Sequence, residues 1–406
     1  MAPRFTTTRT TLAATTAAAA LCLTAAPAAH AAGTPGPYGT ADAQYDGVWR
    51  TSLAMLAQDA VGTVPAKEAV AWLTGQQCAD GGFAAYRKDT ARACDAKTED
   101  SNATAMAVQA LAALGGQDAV TAKALTWLKG IQNKDGGFPY NPGGASDANS
   151  TAVAVGALTA AGEKPAEIRK GGKSPLDALA ALQLPCDAPA ADQGAYAFTP
   201  DKGKLYANEY ATAAAALAAR GSGALVADEA AKGDTPVKAP ICAKDRAPED
   251  AAEAADAFLA GRIAANGGFL KDLSGKAPDP NTTAWATLAL AAGGHRSAAL
   301  EPYAWLEKNA AAWTKDSPAA LGTLVLTVRA VGKDPKDFAG TNLLAALDAT
   351  GPKPQAAPAK TVAPAAAEKK DDGGFGATTW IILGVGLVAG VGGGLLASMR
   401  KKNARP

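Results

Sequence analysis

Asp100-Ser101-Asn102-Ala103-Thr104-Ala105 opens a stretch rich in alanine and leucine, and its pattern returns at Asp147-Ala148-Asn149-Ser150-Thr151-Ala152 and at Asp279-Pro280-Asn281-Thr282-Thr283-Ala284. Two looser copies keep the register, Asn208-Glu209-Tyr210-Ala211-Thr212-Ala213 and the stretch around Pro318-Ala319-Ala320-Leu321, and a sixth helix is expected near Thr51-Ser52-Leu53-Ala54. Asp and Asn at these openings suit helix starts: each accepts a hydrogen bond from the first free N–H groups, and a carboxylate favours the positive end of the helix dipole. Six helices of one kind predict a closed ring.

Between them lies a second kind. Pro65–Gln76, Thr121–Gln132, Ser174–Leu184, Pro248–Arg262, Ser297–Ala310 and Thr341–Asp348 place apolar residues at helical spacing, with Glu68, Lys123, Lys129, Glu253 and Glu307 beside the stripe. The first kind, as in Thr104 to Leu114, is apolar on nearly all sides and fits an inner barrel; the second fits an outer layer. The expected fold is therefore all-α, an α6/α6 toroid of about twelve helices over residues 38–350. Glycine turns follow three outer helices, at Asp80-Gly81-Gly82-Phe83, Asp135-Gly136-Gly137-Phe138 and Asn266-Gly267-Gly268-Phe269. They permit positive φ, reverse the chain and let the following Phe fold back as a plug.

The flanks read as targeting segments. Arg4 and Arg9 precede an apolar stretch from Leu12 to Ala26, and Ala29-His30-Ala31 supplies a cleavage pattern, so 1–31 is expected to be a signal peptide. Residues 351–377 form a Pro/Ala/Lys linker, 378–399 a candidate transmembrane helix, and 400–406 a basic tail on the cytoplasmic side. Leu347-Asp348-Ala349-Thr350-Gly351 has the outline of a sortase signal, with Asp348 where such signals carry Pro or Ala. These features together predict a single-pass membrane protein with an extracellular domain. In that oxidising setting Cys78, Cys94, Cys186 and Cys242 read as two disulfides, with Cys78–Cys94 and Cys186–Cys242 the pairing in which each flanks one loop region. Thirty-nine Lys and Arg against 38 Asp and Glu leave no basic field for nucleic acid.

The turns Gln77 to Phe83 and Gln132 to Phe138, each followed by an acidic helix opening and Thr-Ala, resemble the prenyltransferase and squalene-oxidase repeats of the α/α-toroid superfamily. That superfamily includes terpene cyclases, protein prenyltransferase β-subunits, complement-type thioester domains and the cobalamin carriers of the intrinsic factor and transcobalamin kind. The resemblance specifies the fold and leaves the activity to the residues.

Triterpene cyclases of this kind use an Asp-x-Asp-Asp acid, and Asn102 and Asn149 stand where the second acid would be. Zinc-dependent prenyl transfer needs Asp, Cys and His ligands, whereas His295 is the one histidine after the expected signal. Cys78 between Gln77 and Ala79 is no thioester motif. No catalytic and no metal-ligating residue is expected, and no cofactor is required. Subtraction leaves capture of a small molecule, with a corrinoid such as cobalamin the first ligand that the resemblance implies. Its candidate contacts are Asp100, Asn102, Asp147, Asn149, Asn208, Glu209, Asp279 and Asn281: one residue of each set caps the helix while another is free to point at the barrel mouth. Expected partners are the ligand, a membrane through 378–399, and a transporter or second lid-like protein. The alternatives are an enzyme of terpenoid-cyclase or prenyltransferase type and a non-catalytic surface protein that binds a protein partner.

Overall fold

The computed structural model describes residues 36–240 and 247–356. The expected signal peptide, transmembrane helix and basic tail, most of the linker, and Cys242 lie outside the described residues. Among the described residues no helix is long and apolar enough to cross a membrane.

The described chain is helical, with isolated bridges in its turns and no strand. Along the sequence run α1 (Gly47–Ala60), α2 (Lys67–Gly75), α3 (Ser101–Leu114), α4 (Asp118–Ile131), α5 (Ala148–Ala160), α6 (Pro175–Leu182), α7 (Glu209–Ala219), α8 (Asp228–Lys232), α9 (Pro248–Asn266), α10 (Pro280–Ala292), α11 (Arg296–Asn309), α12 (Ala311–Thr314), α13 (Pro318–Ala330) and α14 (Leu343–Asp348). α1 packs on α3, α3 on α5, α5 on α7, α7 on α10, α10 on α13, and α13 back on α1, so the six inner helices close a ring. α2, α4, α6, α9, α11 and α14 pack outside α1, α3, α5, α7, α10 and α13 respectively, completing the α/α toroid. The sequence pattern does not mark α8 and α12. Both are about one turn long and sit in connections, below the length at which apolar periodicity can register.

Small side chains make the inner ring tight. Every residue of α5 from Ala148 to Leu158 is buried. α13 approaches α1 so closely that a Cβ on Gly322 would stand 2.9 Å from the Leu53 carbonyl oxygen. The chain ends lock the closure: Tyr38 is buried, its hydroxyl donates to Gln58 Oε1 (2.8 Å), Gln58 Nε2 donates to Asp348 (2.6 Å), and the Gly39 N–H reaches the Thr350 carbonyl (2.7 Å).

The lumen is filled from the end where the inner helices finish. Segment 221–227 folds into it, burying Ala224 and Val226. Gln109 fastens the segment by accepting from the Ala224 N–H (2.9 Å) and donating to the Val153 carbonyl (3.3 Å), while Arg329 donates to the Val226 carbonyl (2.9 Å). A void of about 20 Å³ remains above it, lined by Met106, Val153, Leu217 and Trp285 among others, and a recess of about 260 Å³ lies on its other side, between it and Leu56, Ala113, Gly156 and Thr159.

At the opposite end one arrangement recurs. The residue that plugs each turn gives its backbone N–H to a threonine hydroxyl on the following inner helix: Phe83 to Thr104 (2.9 Å), Phe138 to Thr151 (3.0 Å), Tyr196 to Thr212 (2.8 Å), Leu270 to Thr283 (3.0 Å), and Tyr38 to Thr51 (3.2 Å). In three of these the hydroxyl also donates to the carbonyl of the N-cap residue four positions back, Thr104 to Asp100, Thr212 to Asn208 and Thr283 to Asp279. The plug in the third glycine turn is Leu270, not the expected Phe269. α9 runs on through Asn266, which shifts the register by one, and Phe269 packs at a tilt against Trp305 instead (5.3 Å between ring centres, 37° between planes).

A disulfide joins Cys78 and Cys94 in the long α2–α3 connection, a loop of a size that contributes about 3 kcal/mol by restricting the unfolded chain. Cys186 is also disulfide-bonded; Cys242, its expected partner, is beyond the described residues. Because the Phe83 N–H is buried, Thr104→Val leaves it without an acceptor and should lower stability by about 1–3 kcal/mol, whereas Thr104→Ser should recover most of the loss. Urea midpoints of the two variants check this.

Candidate functional site

The side chains at the inner-helix openings divide by position. Asp100 accepts from the Asn102 and Ala103 N–H groups (2.8 and 2.9 Å), Asp147 from Ser150 (2.7 Å), Asn208 from Ala211 (2.8 Å), and Asp279 from Asn281 and Thr282 (3.2 and 2.9 Å). These four are caps. Glu209 is a strut: its Oε2 accepts the Lys271 N–H (2.5 Å), tying α7 to the connection that leads into α10.

Rotation of the helices decides the rest. The clamping threonine is the fourth residue after its cap, and the residue two after the cap lies about 200° round the helix from it. With the threonine turned outward to its plug, the second position turns toward the axis of the barrel. Asn102, Asn149, Tyr210 and Asn281 occupy that position on α3, α5, α7 and α10. Four residues further on, Met106, Val153, Ala214 and Trp285 line the void, which confirms the direction of the face. Three amides and a phenol thus ring the mouth, above a floor that includes the half-buried Trp285. The Asn102 Oδ1 is buried without a hydrogen-bond partner among the described residues.

The electrostatics show convergence. Tyr210 is pushed up to about 12, first by burial and then by the charges of Asp147 and Asp279, which places two other helix openings beside its hydroxyl. Burial raises Asp100 and Asp147 above the usual carboxylate range, against the opposing pull of their capped N–H groups and, for Asp100, of the Tyr140 hydroxyl. Tyr210 is not among the contacts expected from sequence. Alignment of the repeats at their caps would have found it, because it stands in the asparagine's place.

The residue just before the cap contributes a different acid. In the second repeat Ser146 Oγ donates to Asp135 (2.8 Å), whose carboxylate holds the Gly137 N–H (2.9 Å). Glu99 takes the serine's place in the first repeat and meets Asp80. Glu99 is 1% exposed and pushed up to about 7, by burial first and then by the charge and hydrogen bond of Asp80, with Trp127 and Arg87 pulling the other way. Cys78, Cys94 and Glu99 also have the spacing of metal ligands, but the two sulfurs are bonded to each other and offer no thiolate.

A recess of about 450 Å³ lies elsewhere, outside the ring, between α2 and the end of α3, lined by Val64, Val70, Leu114 and Gln355. Its walls are mostly apolar, and it has no convergence of polar side chains like that at the mouth.

A double ring of helices with a filled lumen and a polar mouth defines an α/α toroid, terpenoid-cyclase-like in fold. Residues 36–181, from α1 through most of α6, match the family model described as the prenyltransferase alpha-alpha toroid domain, and this match together with the observed double ring supports an α/α-toroid fold. No curated protein matches it. Among solved structures it is similar to a protein from Actinoplanes, with 15% identity, a TM-score of 0.46, and coverage of 70% of this chain and 90% of the other. It is also similar to a type II terpene cyclase from Scytonema solved with geranylgeranyl dihydroxybenzoate (14%, TM-score 0.43, 70% and 88% covered) and to a glycosidase (14%, TM-score 0.32, 70% and 98%).

Glu99 makes a pH prediction. Its folded value of about 7 lies above the ordinary 4.5, so the folded state holds the proton more tightly and stability from this group falls as the pH rises through that window. Glu99→Gln should flatten that slope, which is measured by comparing urea midpoints of the variant and the parent at about pH 5 and about pH 8.

Proposed function

We propose that the chain is a membrane-anchored, extracellular capture module that binds a small molecule at the barrel mouth, with a corrinoid as the first ligand to try and an uptake system as its destination. One observation carries this reading. Between the mouth and segment 221–227 the lumen, where a reacting terpenoid chain would lie, holds a void of about 20 Å³, room for roughly one water, while polar side chains that the helices do not need as caps ring the mouth above it. The fold itself is equally compatible with a terpenoid-cyclase or prenyltransferase-type enzyme, and such an enzyme would have to move segment 221–227 to open its lumen.

A second observation bears on what covers the mouth. Tyr45 (75% exposed), Tyr140 (48%), Tyr206 (58%) and Leu273 (55%) all sit in connections that lead into inner helices. They form an apolar rim outside the amide ring, suited to the broad face of a ligand or to a lid-like protein partner. An anchor in 378–399 would hold such a module beside its receiver and raise the local ligand concentration.

The test uses the chain purified from spent medium, with mass spectrometry of co-purifying small molecules and thermal shift with cobalamin. A shift is expected. Replacing Asn102, Asn149 and Asn281 together by Leu should weaken binding by at least about tenfold, from the loss of several hydrogen bonds, and leave the melting temperature unchanged because none of the three side chains caps a helix. If nothing co-purifies and cobalamin produces no shift, the capture reading is lost; a prenyl diphosphate turned over by the same preparation would establish the enzyme instead.

A further inference from the structure

At the end of the ring opposite the mouth, four charged or titratable side chains meet out of water. Arg220 caps the end of α7, Glu253 and Asp256 lie one turn apart on α9, and His295 stands between α10 and α11. Arg220 Nη2 approaches Asp256 Oδ2 at 2.6 Å and Glu253 Oε2 at 3.8 Å; His295 Nε2 lies 3.3 Å from Glu253 Oε2 and 3.5 Å from Asp256 Oδ2. Asp256 is fully buried and His295 nearly so. Gly293 makes room for them: a Cβ there would stand 2.5 Å from Asp256 Oδ2 and 2.7 Å from His295 Cδ2.

The far side of two of these groups holds another part of the chain. His295 Nδ1 bonds the Thr235 carbonyl (2.8 Å), and Glu253 Oε1 accepts the Lys238 N–H (2.8 Å). Thr235 N–H reaches the Gly294 carbonyl (2.8 Å), and Asp234 accepts from Ser297 N–H and Oγ (2.8 and 2.7 Å). His295 and Glu253 therefore grip segment 233–238, with Gly294 and Ser297 beside them. That segment belongs to the α7–α9 connection, which starts at Arg220 and also carries the lumen-filling residues 221–227.

Beyond the ion pair with Arg220, His295 Nε2 and both Asp256 carboxylate oxygens are buried without a hydrogen-bond partner among the described residues, so a proton on the ring or on one acid is what would make these close contacts attractive. With the proton the contacts attract; without it a lone pair faces two acceptors in a dry site where Arg220 balances one charge. The other charged groups around the site are Asp234 and Lys238 on the crossing segment, Lys232 at the end of α8, and Arg296 beside His295. Asp234 is engaged by Ser297, and Arg296 Nε by the Val331 carbonyl.

We propose that this quartet is a proton-operated clasp, which holds the crossing segment 233–238 against the ring while a proton lies between His295 and the two acids, and releases the segment when that proton leaves. Burial pushes Asp256 up to about 7, against the pull of Arg220 and with the help of Glu253. The clasp is thus closed in mild acid and opens toward mild alkali.

Hydrogen exchange of the full chain, read by mass spectrometry on peptides covering 233–240 and corrected for intrinsic exchange, tests it. Protection there should fall roughly tenfold between about pH 5.5 and pH 8.5, while the Leu270 amide at the mouth end keeps its protection. His295→Gln and Asp256→Asn should each remove the pH dependence. A flat profile in the parent chain overturns the clasp, as does a slope that persists in either folded variant; if one variant fails to fold, the parent profile and the other variant decide.

Discussion

Inner helices that begin inside a protein must find partners for their first N–H groups without help from water, and this requirement organises the rest of the ring. The cap side chain takes the second and third N–H groups, as Asp100 does for Asn102 and Ala103. The threonine four residues after the cap takes the N–H of the plug and, on three helices, returns its own proton to the cap carbonyl. α3, α5, α7 and α10 are thereby fixed in rotation as well as position. Once the threonine is turned outward, the residue two positions earlier has nowhere to go but the mouth, and those four and seven positions later fill the lumen. Repeating one local hydrogen-bond solution around the ring builds a barrel and its rim together.

The same logic explains what was legible in the sequence. Caps and apolar periods are local, so the alternation of inner and outer helices could be read from Asp100, Asp147 and Asp279 and from the stripes between them. The threonines were visible in the motif, but their partners lie 13 to 21 residues away in turns, and no spacing rule connects them. Register in the turns is equally fine-grained: extending α9 to Asn266 moves the plug from Phe269 to Leu270. Segment 221–227 reads as an ordinary Gly/Ser turn. The burial of Ala224 and the closeness of α5, where a Cβ on Gly156 would stand 2.9 Å from Gly223 Cα, show that it enters the barrel. The quartet around His295 joins residues from three places in the chain, and a lone histidine gave no hint of it.

Of the eight polar residues singled out at the openings, the structure gives five a task within the protein and leaves the amides Asn102, Asn149 and Asn281 at the mouth. Tyr210 joins them from the looser fourth repeat. The degradation of that repeat is informative, because its cap and its threonine are kept while the mouth position changes. Architecture constrains the cap and the clamp; the mouth is free to vary.

Six inner helices, each returning through an outer partner, run in the same direction, so their dipoles stand side by side with like ends together. Carboxylates and amides at the starts, and Arg220 and Arg329 at two of the ends, offset that arrangement. The two arginines do more than balance charge: one enters the buried quartet and the other holds the segment that fills the lumen. At the mouth the offset has the opposite consequence. Helix starts would ordinarily draw a phosphate or carboxylate, but here Asp100, Asp147 and Asp279 already occupy the N–H groups, and the charges of Asp147 and Asp279 act on Tyr210. A neutral molecule that offers hydrogen-bond donors and acceptors to amides, and an apolar body to the rim, meets this surface without displacing any bond on which the ring depends.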